Sequence, residues 1–166
     1  SKDATSINVD DNYNIDTKNI SFFKLKNIIQ SDEKSLLKDK FQNIVETNNF
    51  VYYINKKELR SKNLIITDKN LNKYFSNEAA INLNKNEILA KDVQVYFSES
   101  SDFGKHARLK GNSMMSNENS TVIKKGIFTT CKQNESCPPW TIQSKEIKHD
   151  KLKKSIIYKN AWLNFY

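Results

Sequence analysis

The run Ile54-Asn55-Lys56-Lys57-Glu58-Leu59, followed by Lys62-Asn63-Leu64-Ile65-Ile66, superposes residue for residue on Leu83-Asn84-Lys85-Asn86-Glu87-Ile88, followed by Lys91-Asp92-Val93-Gln94-Val95. A looser copy runs from Ser116-Asn117-Glu118-Asn119 to Lys125-Gly126-Ile127, and another from His149-Asp150-Lys151 to Lys159-Asn160-Ala161. Each unit reads as an apolar strand, a polar turn rich in Asn, Asp and Lys, and a returning strand. Units about thirty residues apart, each too small to bury its own apolar face, fold by stacking into one continuous sheet structure.

The returning strands carry a second constraint. Leu59 and Ser61 alternate, then Leu64 and Ile66 alternate after a step of three; Ile88, Ala90, Val93 and Val95 repeat the pattern. A strict period of two would send one of the two sets to the solvent face. A bulge or bend at Asn63, Asp92, Gly126 and Asn160 returns both sets to one side, and glycine at 126 suits the backbone angles that some bulges require. Paired strands kinked in this way fold over into a V-shaped or jelly-roll cross-section.

The 166 residues fit a single domain, 1–166, with a modest core, and the apolar fraction of 37% is low for a compact enzyme. Short alternating runs of Ile, Val, Phe and Tyr argue against disorder. The N-terminal third is less regular. Leu37, Phe41, Ile44 and Val45 have helical spacing after Ser31, but the flanking runs 20–29 and 50–54 are rich in aromatic and β-branched residues. Strands around a polar turn at 38–43 are therefore expected. The segment 98–105 reads as the main internal loop. No apolar run reaches the length of a transmembrane helix and no secretory signal opens the chain, so the chain is expected to be soluble as it stands.

The net charge of +8 fits either a polyanionic partner or a solvated face of lysines spread evenly along the chain, and the spacing favours the latter. Cys131 and Cys137 stand C-x5-C without a second ligand pair, so no metal is expected. A short local disulfide across 132–136 and two free thiols both remain open, and such a bond would fix a loop rather than hold the fold. His106 and His149 are the only histidines. His149 and Asp150, adjacent on a strand, point to opposite faces, and Asp150 is read as opening the following turn by bonding to its own backbone. No catalytic constellation, phosphate loop or cofactor motif is visible, so the chain is not read as an enzyme and no cofactor is expected. Trp140, entering a strand after Pro138-Pro139, and Trp162 read first as packing anchors.

The C-terminal segment from Lys110 onward, about a third of the chain, carries Phe128-Thr129-Thr130-Cys131, then Trp140 with Ser144, Glu146, Ile147, His149 and Asp150, then Asn160-Ala161-Trp162. In that order these resemble the junction segment of the lipopolysaccharide-assembly outer-membrane proteins (the LptD, or organic solvent tolerance, family), where a periplasmic β-domain hands over to a transmembrane barrel. The resemblance implies an all-β fold of stacked antiparallel strand pairs forming an open V-shaped β-jelly roll, on the periplasmic face of the outer membrane, ending at the junction to a barrel absent from this chain.

It further implies lipopolysaccharide as cargo, received from a soluble periplasmic bridge protein of the same fold by head-to-tail association at the N-terminal edge. The cargo would pass to the barrel of the full-length chain and its plug lipoprotein. In such proteins a cysteine at the position of Cys131 bonds to the barrel domain; Cys137 is an addition to that pattern. Combined with the repeat alignment, the resemblance makes Leu59, Leu64, Ile66, Ile88, Ala90, Val93, Val95, Phe97, Ile127, Ala161 and Leu163 the expected lipid groove, with ordinary core packing as the blander reading. Nucleic acid is not a partner on this view. The alternatives are the soluble bridge protein itself, which should lack the Trp140, His149-Asp150 and Asn160-Ala161-Trp162 features, and a basic nucleic-acid-binding β module.

Overall fold

In a computed structural model, residues 4–9, 13–40, 42–100, 103, 106–131 and 139–166 are described. They form one antiparallel sheet of fourteen strands that does not close into a barrel. The strands are β1 (Thr5–Val9), β2 (Tyr13–Thr17), β3 (Ser21–Phe23), β4 (Ile28–Ser31), β5 (Ser35–Asp39), β6 (Ile44–Thr47), β7 (Phe50–Tyr53), β8 (Glu58–Thr67), β9 (Lys73–Asn82), β10 (Glu87–Tyr96), β11 (Arg108–Ser116), β12 (Ser120–Thr129), β13 (Trp140–Asp150) and β14 (Ser155–Phe165). The ambiguous segment near 31–45 forms strands β5 and β6 around a turn in which Asn43 donates its backbone N–H to Asp39 Oδ1 at 2.8 Å. Asp68 and Asn72 repeat that turn 29 residues later, at 2.9 Å. Phe41, part of the helical spacing considered above, lies outside the described residues.

From β8 onward every strand bends once, and the bends lie in register. Pairing passes from Lys62↔Glu78 to Leu64↔Ser76, from Lys91↔Ser113 to Val93↔Gly111, from Lys124↔Glu146 to Gly126↔Ser144, and from Glu146↔Lys159 to Ser144↔Ala161. The register sum stays constant across each break, so no strand carries an extra residue and the device is a corner rather than a bulge. Asn63, Asp92, Lys125 and Asn160, one on each alternate strand, take left-handed angles with φ of 52°, 51°, 50° and 52°. Asn and Asp are the side chains that tolerate this region best.

At the N-terminal end the same corner is made by breaking the strand. β6 pairs with the 65–67 half of β8 and β7 with its 58–61 half. The sheet therefore has two arms. Arm I holds β3, β4, β7 and the halves of β8 to β14 on the side of residues 58–62. Arm II holds β1, β2, β5, β6 and the halves on the side of residues 64–67.

Both phases of the alternation face inward between the arms, as the sequence requires. Leu59, Leu64, Ile66, Val93 and Val95 are buried in one apolar cluster that spans the two arms, and each such side chain contributes roughly 1.5–3 kcal/mol by leaving water. Next to the corner, volumes are complementary strand by strand. Ser61 is followed by Leu64, Met114 is preceded by Gly111, Ile123 is followed by Gly126, and Ile147 is preceded by Ser144.

The glycines serve close approach. A Cβ at 126 would stand 2.5 Å from Ile147 Cδ1, and one at 111 would overlap Ile123 Cγ2. Ser and Thr at the apex take up carbonyls freed where the ladder breaks. Ser144 Oγ lies 2.7 and 2.8 Å from the carbonyls of Glu146 and Lys159, Thr47 Oγ1 donates to Asn49 O at 2.7 Å, and Ser31 Oγ donates to Lys18 O at 2.7 Å. Leaving such groups unpaired costs about 1–3 kcal/mol each.

The corner in β12 differs from expectation by one residue. Lys125, not Gly126, has the left-handed angle, which turns Gly126 and Phe128 inward and sends Ile127 outward.

Two substitutions test this geometry. Gly111→Ala is expected to lower unfolding stability by about 1–3 kcal/mol through overpacking, because Ile123 is β-branched and cannot swing its Cγ2 aside. In an Ile123→Ala background the same change should cost little, as measured by denaturant titration. Lys125→Gly is expected to leave stability unchanged or raise it by up to about 1 kcal/mol, since it relieves a left-handed side-chain residue; a loss of stability would place the corner elsewhere.

Candidate functional site: the interior of the V and its open edge

Most of the sequence-derived groove residues come together between the arms. Ile88 pairs with Ile81, which pairs with Leu59, while Val95 pairs with Tyr74 and Leu109. Phe97 follows β10 and packs at a tilt against Phe103, with ring centroids 4.5 Å apart. Ile127 does not join them. It is 42% exposed and shares the outer face with its pairing partners Lys110 and Gln143.

The interior is closed along most of its length. Val95 is 1% exposed, and the space beside it, bounded by Tyr74, Leu109, Ile123, Ile147 and His149, holds only about 20 Å³. One hydrogen bond and one ring contact latch the mouth between the arms. The hydroxyl of Tyr13, on arm II, donates to Asn86 Oδ1 in a turn of arm I; burial, with Asp39 and Glu118 nearby, pushes this phenol up to about 12 and keeps it a donor. Phe103, in the connection at the arm II end, meets the His149 ring of arm I edge-on at 5.3 Å.

The interior opens at β14. Its inward residues continue the inner rows of β13: Ala161 lies opposite Ser144, Leu163 opposite Ile142, and Phe165 opposite Trp140. Among the described residues β14 is an edge strand, and there Leu163 is 56% exposed and Phe165 is exposed as well. Phe165 and Ile142 were missed by the sequence reading, which had Trp140 as a packing anchor rather than as a groove residue; extending the alternation of Ala161 and Leu163 by two residues finds Phe165. On the outer face Ile157 and Trp162 are exposed too, so β14 presents apolar groups on both sides of an unpaired backbone edge.

A second concavity, about 980 Å³, lies on the outer face of arm I. An apolar row, Ala80, Leu89, Met115 and Val122, runs across four strands between Arg60 and Lys148. Beside it, next to the corner, the register aligns Lys62, Glu78, Lys91, Ser113, Lys124, Glu146 and Lys159 in a charge ladder. Lys91 pairs with Glu78 at 3.3 Å and Lys124 with Glu146, and the latter contact holds the Glu146 carboxyl below its usual range. Such exposed pairs are screened by water and add little stability, but they fix strand register.

Cys131 is a free, buried thiol that accepts from Thr129 Oγ1 at 3.1 Å, and its carbonyl accepts from Arg108. Cys137 lies outside the described residues. Asp150 opens its turn, accepting the backbone N–H groups of Leu152 at 3.2 Å and Lys153 at 3.0 Å. His149 points inward, opposite Thr121 and Ile156, so the two side chains diverge. Among the described residues no group of three or more His, Cys, Asp or Glu is placed to hold a metal ion, and no helix is long and apolar enough to cross a membrane. No family model matches the chain, and the search of curated proteins found no significant relative.

His149 is partly buried at the mouth. Burial, then the nearby Lys151 ammonium, lower its pKa from 6.5 despite the opposing pull of Asp150 and Asp68. A base with a depressed folded-state pKa contributes stability above its unfolded value, and that contribution is lost as pH falls through the folded pKa. Thermal stability is therefore expected to decline as pH drops below about 6.5. His149→Gln should flatten that part of the profile, measured by melting the two proteins from pH 7.5 to 5 side by side.

Proposed function

We propose that the chain is the periplasmic domain of a lipopolysaccharide-assembly outer-membrane protein, taking lipopolysaccharide acyl chains onto its apolar interior and passing them toward a transmembrane barrel. The observation that carries this reading is the apolar interior that runs out to β14, the edge strand among the described residues, where Ala161, Leu163 and Phe165 lie in the same inner rows as the buried core and Leu163 and Phe165 are exposed. Two further features support it: the junction-like order of Trp140, His149-Asp150 and Asn160-Ala161-Trp162, and the open V itself. A closed barrel or a sandwich with capped ends offers a lipid no such entrance.

The physical logic is short. Acyl chains laid against Leu163, Phe165 and Ile142 leave water at about 25 cal/mol per Å², while the charged sugars and phosphates stay outside. The same reading makes β1 and β3, the N-terminal edge strands of the two arms among the described residues, the place where a soluble bridge protein of the same fold adds a strand. It places the barrel of the full-length chain and its plug lipoprotein beyond β14, and the protein on the periplasmic face of the outer membrane. In this role the domain binds and transfers without chemical conversion, so it works as a carrier rather than as an enzyme.

Photocrosslinking residues at Leu163, Val95 and Lys85 test the assignment. Capture of lipopolysaccharide at Leu163 and none at Lys85 is the expected result, with Val95 labelled only when the arms part. Equal labelling at Lys85, or none at Leu163, would remove the lipid role. Salt-dependent oligonucleotide binding in that case would favour the nucleic-acid alternative.

A further inference from the structure

The repeat period sorts charge as well as strands. Five connections lie at the free edge of arm I: 24–27, 54–57, 83–86, 117–119 and 151–154. Together they contain eight lysines and one acid, Glu118. Among the described residues of the opposite connections, at the free edge of arm II, two lysines stand with two acids, Asp68 and Glu99. Most of the chain's excess of +8 is therefore gathered along one edge by the fold, although the lysines are dispersed along the sequence.

The acids that border this edge are largely engaged. Glu58 pairs with Arg60 at 2.6 Å, Asp150 accepts two backbone N–H groups, and Glu118 accepts from Asn86 at 2.7 Å. Lys24, Lys26, Lys56, Lys85, Lys153 and Lys154 are all exposed.

The two outermost turns add a different chemistry. Leu25, between Lys24 and Lys26, is fully exposed, and Leu152, before Lys153 and Lys154, is also exposed; Phe22 and Phe23 lie beside the first. From the β3–β4 turn to the β13–β14 turn the edge spans eight strand spacings, about 38 Å before twist. Lysines that flank a projecting leucine match an interfacial site, where cations meet headgroup phosphates and the apolar group enters the acyl boundary. A nucleic acid backbone offers the lysines the same phosphates but gives Leu25 and Leu152 nothing apolar to enter.

We propose that the free edge of arm I is a docking surface for the anionic headgroup layer of a phospholipid bilayer, with Leu25 and Leu152 as shallow apolar anchors. Docked this way, the row of turns lies on the membrane and the corner column faces away from it. The proposal stands independently of any cargo between the arms, since it uses no residue of the interior or of β14.

Co-sedimentation with phosphatidylglycerol/phosphatidylcholine vesicles tests it. The protein should bind these vesicles, release them at high salt as the charges are screened, and ignore pure phosphatidylcholine. Each lysine near an anionic surface contributes about fivefold in affinity. The variant Lys24→Glu/Lys26→Glu/Lys153→Glu/Lys154→Glu should therefore lose a hundredfold or more, on the order of four such steps. Its strands and melting temperature should be unchanged, because none of these side chains is in the core. Leu25→Ser/Leu152→Ser should weaken binding severalfold while keeping its salt dependence. Equal binding to both vesicle types, vesicle binding untouched by the lysine reversals, or tighter binding to an oligonucleotide than to the anionic vesicles would each overturn the proposal.

Discussion

Every strand from β8 to β14 must bend at the same level, and that requirement governs the rest of the molecule. A single strand can change its pleat phase almost anywhere, but a sheet can do so only if each neighbour breaks its ladder at the matching residue. Here the breaks at Asn63, Asp92, Lys125 and Asn160 lie on one line across the sheet, so the arms swing together. Asn77 Nδ2 donates to Asp92 Oδ2 at 3.2 Å along that line. The cost of left-handed backbone at non-glycine residues, about 1–2 kcal/mol each, is offset by returning two sets of apolar side chains to one interior.

The corner also dictates residue size. Close to the apex the arms are too near for two large side chains at one level, so Met114, Ile123 and Ile147 are matched by Gly111, Gly126 and Ser144. Polar Ser and Thr persist there because they take up carbonyls that the broken ladder leaves over; among the described residues, the buried hydroxyls of Ser76 and Thr141 have no hydrogen-bond partner. Farther from the apex the volumes grow, through Ile66, Val95, Leu109 and Phe128, until the arms meet aromatic and polar contacts at the mouth. The interior is therefore packed rather than hollow. Its apolar surface becomes reachable at the strand edge, where stacking stops.

How much of this was legible in the sequence follows from what each signal measures. The phase slip between Leu59-Ser61 and Leu64-Ile66 reports the corner directly, because alternation is a property of one strand. Its position in β12 was displaced by one residue, since glycine at 126 imitated the conformational signal while serving close approach to Ile147. That displacement alone reversed Ile127. The turn at 24–27 is a further copy of the 54–57 and 83–86 turns, with left-handed Asn27, Lys57 and Asn86 at matching positions. It escaped notice because β3 and β4 are too short to show alternation. The outer apolar row and the basic edge were invisible for a different reason: Ala80, Leu89, Met115 and Val122 are single apolar residues on four strands, and only the register places them side by side.

The packed interior bears on any cargo. Separating the arms near Val95 without a replacement exposes buried apolar surface at about 25 cal/mol per Å², and the Tyr13–Asn86 and Phe103–His149 contacts oppose it locally. An apolar chain that starts from the exposed edge meets a lower barrier, because each inner row it reaches exchanges one apolar contact for another and leaves the next still closed. For the lipid cargo proposed above, advance from an end would therefore be favoured over entry from the side, with the mouth yielding one level at a time. Burial and Lys151 hold His149 toward its neutral form, the form that packs against the Phe103 ring and keeps the level nearest the β13–β14 turn closed.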